Sequence, residues 1–233
     1  MITVYTFTYN EEVLIQFMID HYRARFPGCR IVVYDNMSTD RTAKIALSNG
    51  CEVIPFSTDT NYYQEQRLIG IRDNCWKDAR TDWVLICDLD ELLDINPPQL
   101  EKEEKAGATI IRAEGYHMID MENKLDIPGI KYGMRDAYHD KSYLFNKKFI
   151  SEINYSGGAH TCRPVGLVVY SHKTYKLYHY CYINYDVTVA RYKDYRARIS
   201  PEDIKAGCGL WSENPEEISA LYTETRKQAI KVR

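Results

Sequence analysis

The sequence predicts an α/β domain built on a doubly wound, mostly parallel sheet with helices on both faces. Three features predict it. Apolar, β-branched runs alternate with helix-patterned segments over residues 1–95. Each run ends in a polar cluster, as strands do when their carboxyl ends form a ligand crevice. At 233 residues and 45% hydrophobic content, the chain can bury one sizeable core.

Residues 2–9, ITVYTFTY, are β-branched and aromatic and read as the first strand. A helix follows over 11–26, with apolar residues at 14, 15, 18, 22 and 26 on one face, and Pro27-Gly28 stops it. CRIVVYDN (29–36) reads as a second strand, apolar enough to be buried on both faces. Asp40 caps a helix running to Ser48, which Asn49-Gly50 closes. CEVIPF (51–56) is a third strand, 62–79 a helix, and DWVLICDLD (82–90) a fourth strand. The alternation argues for right-handed parallel crossovers. Beyond residue 96 the pattern predicts a short helix over 97–106 and strands over 108–120, 142–150, 166–171 and 175–182. The end, Asn184 to Arg233, reads as helical with interruptions at Pro201, Gly207-Cys208-Gly209 and Pro215. The whole reads as a single domain, 1–233, with a nucleotide-binding-like half (1–95) and an irregular half (96–233).

Composition excludes several classes. Thirty basic against thirty-three acidic residues leave a net charge of −3, so no nucleic-acid footprint is present. No apolar stretch is long enough for a transmembrane segment. The N-terminus, MITVYTFTYNEE, reaches acidic residues too early for a secretory signal. Seven cysteines with no CxxC pair argue against a zinc ribbon or a disulfide framework, and for a reducing, cytoplasmic location. The glycosylation-like triplets at Asn36 and Asn154 are discounted on the same ground.

Four polar clusters fall at the strand ends: Thr8 to Glu12, Asp35 to Asp40, Asp59 to Asn61, and Asp88 to Glu91. Asp88 and Asp90 are the most chemical of these. Two close carboxylates repel unless a cation lies between them. Mn²⁺ or Mg²⁺ accepts such oxygen ligands and bridges them to phosphates. An Asp-x-Asp triplet alone also suits a solvated turn or a cap near Glu91, but the buried run before it and the other polar ends favour the cation. Asp40 suits a helix cap, whereas Asp35, directly after VVY, suits a ribose or base contact.

The segments TYNEE, YDNMSTDRT and ICDLDELL, in that order, resemble the nucleotide-sugar half of family 2-type glycosyltransferases with the GT-A fold. The likeness covers residues 1–95 and fades after them. It implies that Thr8, Tyr9, Glu11 and Asp35 hold base and ribose, and that Asp88 and Asp90 hold Mn²⁺ or Mg²⁺ on the diphosphate. Asp90 is thereby also a catalytic residue. Arg67 matches the arginine that faces the nucleotide from the third helix. YSGGAH (155–160) and LYHYCYINYDVTVARYKDY (177–195) resemble back-half elements of small single-domain members. They imply a late histidine as third metal ligand, His179 ahead of His160. Lys141, Arg163 and Lys193 are candidate diphosphate contacts or surface charges.

The implied reaction moves a sugar from a nucleoside-diphosphate donor, of UDP or GDP type, to a glycan or other hydroxyl acceptor with inversion. It needs a carboxylate base. Glu114, Asp136, Asp140, Glu152 and Asp186 are the candidates, and Asp186 is taken forward. A sugar nucleotidyltransferase is the second reading, disfavoured because its phosphate loop is glycine-rich and basic while TYNEE is acidic. A dehydrogenase is disfavoured by the missing GxGxxG, and a non-catalytic glycan-binding module by the intact Asp-x-Asp. The 20 tyrosines against 6 phenylalanines, most from Tyr132 onward, suit either core filling or stacking on an acceptor sugar.

Overall fold

The computed structural model describes residues 1–57, 62–207 and 214–233. Its front half follows the expected alternation. Strands β1 (Ile2–Thr8), β2 (Arg30–Asp35), β3 (Glu52–Pro55) and β4 (Trp83–Asp88) lie parallel in the order β3-β2-β1-β4. Helices α1 (Ile15–Arg25), α2 (Thr42–Ser48) and α3 (Glu65–Asn74) make the crossovers. Every residue of β1 is buried, because it is central and covered on both faces.

The single strand expected over 82–90 is broken. β4 ends at Asp88, Leu89-Asp90 turns, and β5 (Glu91–Asp94) leaves in another direction. Then come α4 (Pro97–Lys105), β6 (Ile110–Ile119), β7 (Tyr132–Asp136), β8 (Leu144–Asn146), β9 (Ile150–Glu152), β10 (Val165–Gly166) and β11 (Tyr170–Tyr182). Asn96 starts α4 with a reciprocal cap to Gln99 and a proline in the first turn. The chain closes with α5 (Tyr185–Arg198), α6 (Pro201–Lys205), α7 (Pro215–Gln228) and β12 (Ile230–Lys231). β8 joins β4 antiparallel, and the sheet continues through β6, β7 and β12. β11 runs parallel to β6 and antiparallel to β5. The expected strand over 142–150 divides into β8, in the main sheet, and β9, which pairs only with β10. β7 and β12 were not expected; both are short, β7 half-exposed and β12 exposed, so they carry little hydrophobic pattern.

The core binds these layers together. Trp76 meets Phe145 edge-to-face at 4.9 Å, behind α3 and β8. Half of the fourteen back-half tyrosines, Tyr143, Tyr155, Tyr175, Tyr178, Tyr180, Tyr182 and Tyr222, are buried in core clusters rather than on a stacking surface. Their hydroxyls find internal partners, as Tyr178 does on Asp94 (2.6 Å) and Tyr175 on Glu103 (2.9 Å). The described cysteines are all unpaired thiols. No helix among the described residues is long and apolar enough to cross a membrane.

One buried histidine belongs to the scaffold. His21 of α1 donates from Nε2 to the Leu93 carbonyl at 2.9 Å. Burial and the Arg25 charge push its pKa down to about 3. A depressed folded pKa gives stability that is full above the unfolded value and lost as pH falls toward the folded one. We predict a decline in unfolding free energy between about pH 6.5 and pH 3, on the order of 4 kcal/mol from this group. His21→Gln keeps a donor for Leu93 but cannot titrate. Urea midpoints across that range should slope less in the variant, and an unchanged slope refutes the assignment.

Candidate active site

Register brings the strand ends together. Thr8 stands opposite Asp35, and Phe7 opposite Asp88. Thr8, Asp35 and Asp88 therefore lie side by side on one sheet edge, with Asp90 in the turn beyond. Asp59 to Asn61 lie outside the described residues.

Asp88 pairs through Oδ1 with Arg72 of α3, while its Oδ2 makes no hydrogen bond among the described residues. Asp90 Oδ2 accepts from Arg191 Nη2 at 2.7 Å and lies 3.4 Å from His179 Nε2; its Oδ1 is likewise unbonded among the described residues. Burial pushes the Asp90 carboxyl up, but the His179 and Arg191 charges hold it well below the usual carboxylate range. Each carboxylate thus keeps one oxygen fixed and one available. That donor set fits a hard divalent cation, which takes oxygen ligands and is shared with phosphate.

Arg191, on α5, is the organising cation. Its Nη2 is also 2.7 Å from Glu11 Oε1, and its Nη1 donates to the Tyr180 carbonyl at 3.0 Å. Tyr195 donates to the same Glu11 oxygen at 2.7 Å. Glu11, expected on base and ribose, is instead a buried anchor for α5. At the α5 end, the Arg198 guanidinium sits 3.3 Å from the Tyr9 ring centre and donates to Asn36 Oδ1 at 2.6 Å. It covers the corner formed by Tyr9 and Asp35. Asp35 is buried and accepts from the Ser38 N–H at 3.2 Å. Thr8 Oγ1 is buried without a hydrogen-bond partner among the described residues.

Several expectations change. Arg67 is exposed and lines a surface cavity with Tyr34, Asn74 and Asp78, so it does not reach Asp88. Arg72, one turn and a residue later on α3, does, and it also stacks over Phe7. Asp186 is exposed in the first turn of α5, where its charge acts on Tyr222 of α7, and is not brought to Asp90. Lys141 is no surface charge: its three donors are spent on Glu91 Oε1 (2.7 Å), Tyr143 OH and the Gly158 carbonyl (2.8 Å each). Arg163 and Lys193 are exposed. His160 stacks on Tyr138 and contacts its carbonyl at 3.0 Å through Nδ1. Among the other carboxylates, Asp140 pairs with Arg135, Glu152 with Lys77, and Glu114 accepts from Tyr116. Asp136 alone of these joins the histidines, at 2.8 Å from His117 Nε2 and 2.6 Å from His139 Nδ1.

Neither Arg72 nor Arg191 drew notice in the sequence. The signal was spacing. Arg72 follows buried Leu68 by four residues, and Arg191 lies three after buried Thr188 and four before Tyr195.

This edge belongs to an α/β protein that gathers acidic side chains at the carboxyl ends of parallel strands, the place where open α/β sheets bind ligands. Residues 3–163 match Glycosyl transferase family 2, and the chain belongs to that family. A comparison with curated proteins finds no matching relative. Similar solved structures include Staphylococcus aureus TarS 1–349 in complex with UDP, 17% identical with a TM-score of 0.44. That likeness covers 76% of this chain and spans 59% of the TarS chain. The mannosyltransferase PcManGT from Pyrobaculum calidifontis, with GDP-Man and Mn²⁺, is 21% identical (TM-score 0.34, 48% of this chain, 34% of that one). Glucosyl-3-phosphoglycerate synthase from Mycobacterium tuberculosis, with Mn²⁺, UDP and glucosyl-3-phosphoglycerate, is 23% identical (TM-score 0.33, 50% and 43%).

Removing Arg191 leaves Glu11 buried without its counter-charge and Asp90 with only the His179 ring beside it. Arg191→Met should cost about 3–5 kcal/mol in urea unfolding. Adding Glu11→Gln should recover part of that loss. A single variant within about 1 kcal/mol of wild type, or no recovery in the pair, contradicts the bridge.

Proposed function

We propose that this chain transfers a sugar from a nucleoside-diphosphate donor, of UDP or GDP type, to a glycan or other hydroxyl acceptor, with inversion. Family membership supports glycosyl transfer. The observation that carries the reading is the carboxylate pair at the end of β4, beside Thr8 and Asp35. Asp88 and Asp90 would hold Mn²⁺ or Mg²⁺ through their available oxygens. A divalent cation there neutralises charge on the departing diphosphate.

The chain's own residues do the rest. Arg72 and Arg191 fix the two carboxylates from behind, so their orientation does not have to be established during binding. Asp35 offers a buried acceptor for a ribose hydroxyl, and Tyr9 an aromatic face for the base. Arg198 now occupies that face and must exchange its contact with the Tyr9 ring for one with the nucleotide.

Asp88→Asn and Asp90→Asn should each lower nucleoside-diphosphate release from candidate donors at least a hundredfold while the protein stays folded by circular dichroism. Mn²⁺-dependent thermal stabilisation by UDP or GDP should vanish with it. Full turnover in excess chelator, or in either variant, rules out the cation role.

A further inference from the structure

A second group of ligand-type side chains lies behind Asp90, and strand register assembles it. Glu91 of β5 is the cross-strand partner of His179 on β11, and His179 is the partner of His117 on β6. The turn after β7 adds His139, whose ring centre is 4.4 Å from that of His179. Gly115 permits this approach. A Cβ there would lie 2.6 Å from the His139 carbonyl oxygen.

Three overlapping sets could be imagined: His117, His179 and Cys181; His117, Asp136 and His139; Glu91, His139 and His179. Hydrogen bonds already close the first two. Cys181 Sγ is 2.9 Å from His117 Nδ1, and one Asp136 oxygen serves both His117 Nε2 and His139 Nδ1. The third set is open. Among the described residues, Glu91 Oε2 and His179 Nδ1 are both buried with no hydrogen-bond partner, and Glu91 is only 2% exposed. Unpaired buried polar atoms are costly and call for a partner. The donor atoms of Glu91, His139 and His179 lie within 4.8 Å of one another.

Each member is also held from its far side. Lys141 binds Glu91 Oε1, leaving Oε2. Asp136 takes His139 Nδ1, leaving Nε2. Asp90 faces His179 Nε2, leaving Nδ1. Metal-binding histidines show this outer-carboxylate arrangement, which fixes ring and tautomer.

We propose that Glu91, His139 and His179 form a binding site for a borderline divalent transition metal, of the Zn²⁺ or Fe²⁺ class, separate from the Asp88–Asp90 pair. Two imidazoles and one carboxylate match the preferences of such metals rather than of Mg²⁺ or Ca²⁺. The site stands whether or not the chain transfers sugars. His179 serves it through Nδ1 and keeps its Nε2 contact with Asp90.

The test uses the full chain, stripped with chelator and dialysed against Zn²⁺ without nucleotide. One zinc per chain is expected. Co²⁺ in its place should show no thiolate charge-transfer band. His139→Gln should weaken Zn²⁺ binding at least a hundredfold, and Asp136→Asn about ten- to a hundredfold. Asp88→Asn should leave it unchanged, which separates this site from the proposed donor cation. X-ray absorption of the zinc-loaded wild type should show nitrogen and oxygen ligands only, and decides the matter if a variant fails to fold. Absence of bound zinc overturns the site, as does retention in folded His139→Gln. A sulfur ligand lost in Cys181→Ser would move the metal to the first set. Loss in Asp88→Asn would move it to the β4 carboxylates.

Discussion

Arg191 is the constraint on which the crevice depends. Glu11 follows the first strand, Asp90 follows the fourth, and α5 arrives from the far end of the chain, 180 residues after Glu11. One guanidinium nitrogen touches both carboxylates at 2.7 Å. Lysine could not copy this, because a single ammonium lacks the planar fork that also reaches the Tyr180 carbonyl. The contact does local and global work together. It sets the Asp90 carboxylate, and it pins the back half over the strand ends of the front half.

Buried charge is organised around that bridge as alternating signs. Arg72 stands between Glu65 and Asp88, Arg191 between Glu11 and Asp90, and Lys141 beside Glu91. Such pairs add little net stability over apolar packing, since desolvation offsets most of the attraction. Their value is geometric. Each cation can be satisfied in only one register of strands and helices, so a mispacked chain strands a charge in the interior. The turn at Leu89-Asp90 shows the effect. It lets Glu91 start a new strand opposite His179 instead of extending β4 past the sheet edge.

The front half of the fold was legible because buried parallel strands leave long apolar runs, and their polar ends fall where the runs stop. The placement of Asp35, Asp88 and Asp90 at strand ends was legible for the same reason. The back half was harder. β5, β7 and β12 hold two to five residues each, too short for period-two alternation to register. Site residues carried by helices were missed because a buried arginine looks like a surface arginine unless its whole face is counted. Arg67 and Arg72 share α3, and only the position of Leu68 separates the exposed one from the buried one. Lys141 was misjudged for lack of any local sign that Glu91 and Gly158 would surround it. The tyrosine excess was a composition without a direction. Its meaning is a core that needs polar tips, because so many carboxylates and carbonyls are enclosed with it.

Asp90 joins two different chemistries. On one side of it Asp88 is 28% exposed at its side chain. Toward His179 it acts as the outer partner of an imidazole whose other nitrogen is buried. Arg191 Nη2 and His179 Nε2 address the same Asp90 oxygen, at 2.7 and 3.4 Å. The carboxylate is therefore fixed by one guanidinium and one imidazole at the turn between β4 and β5, which ties helix α5 and strand β11 to the end of the parallel sheet.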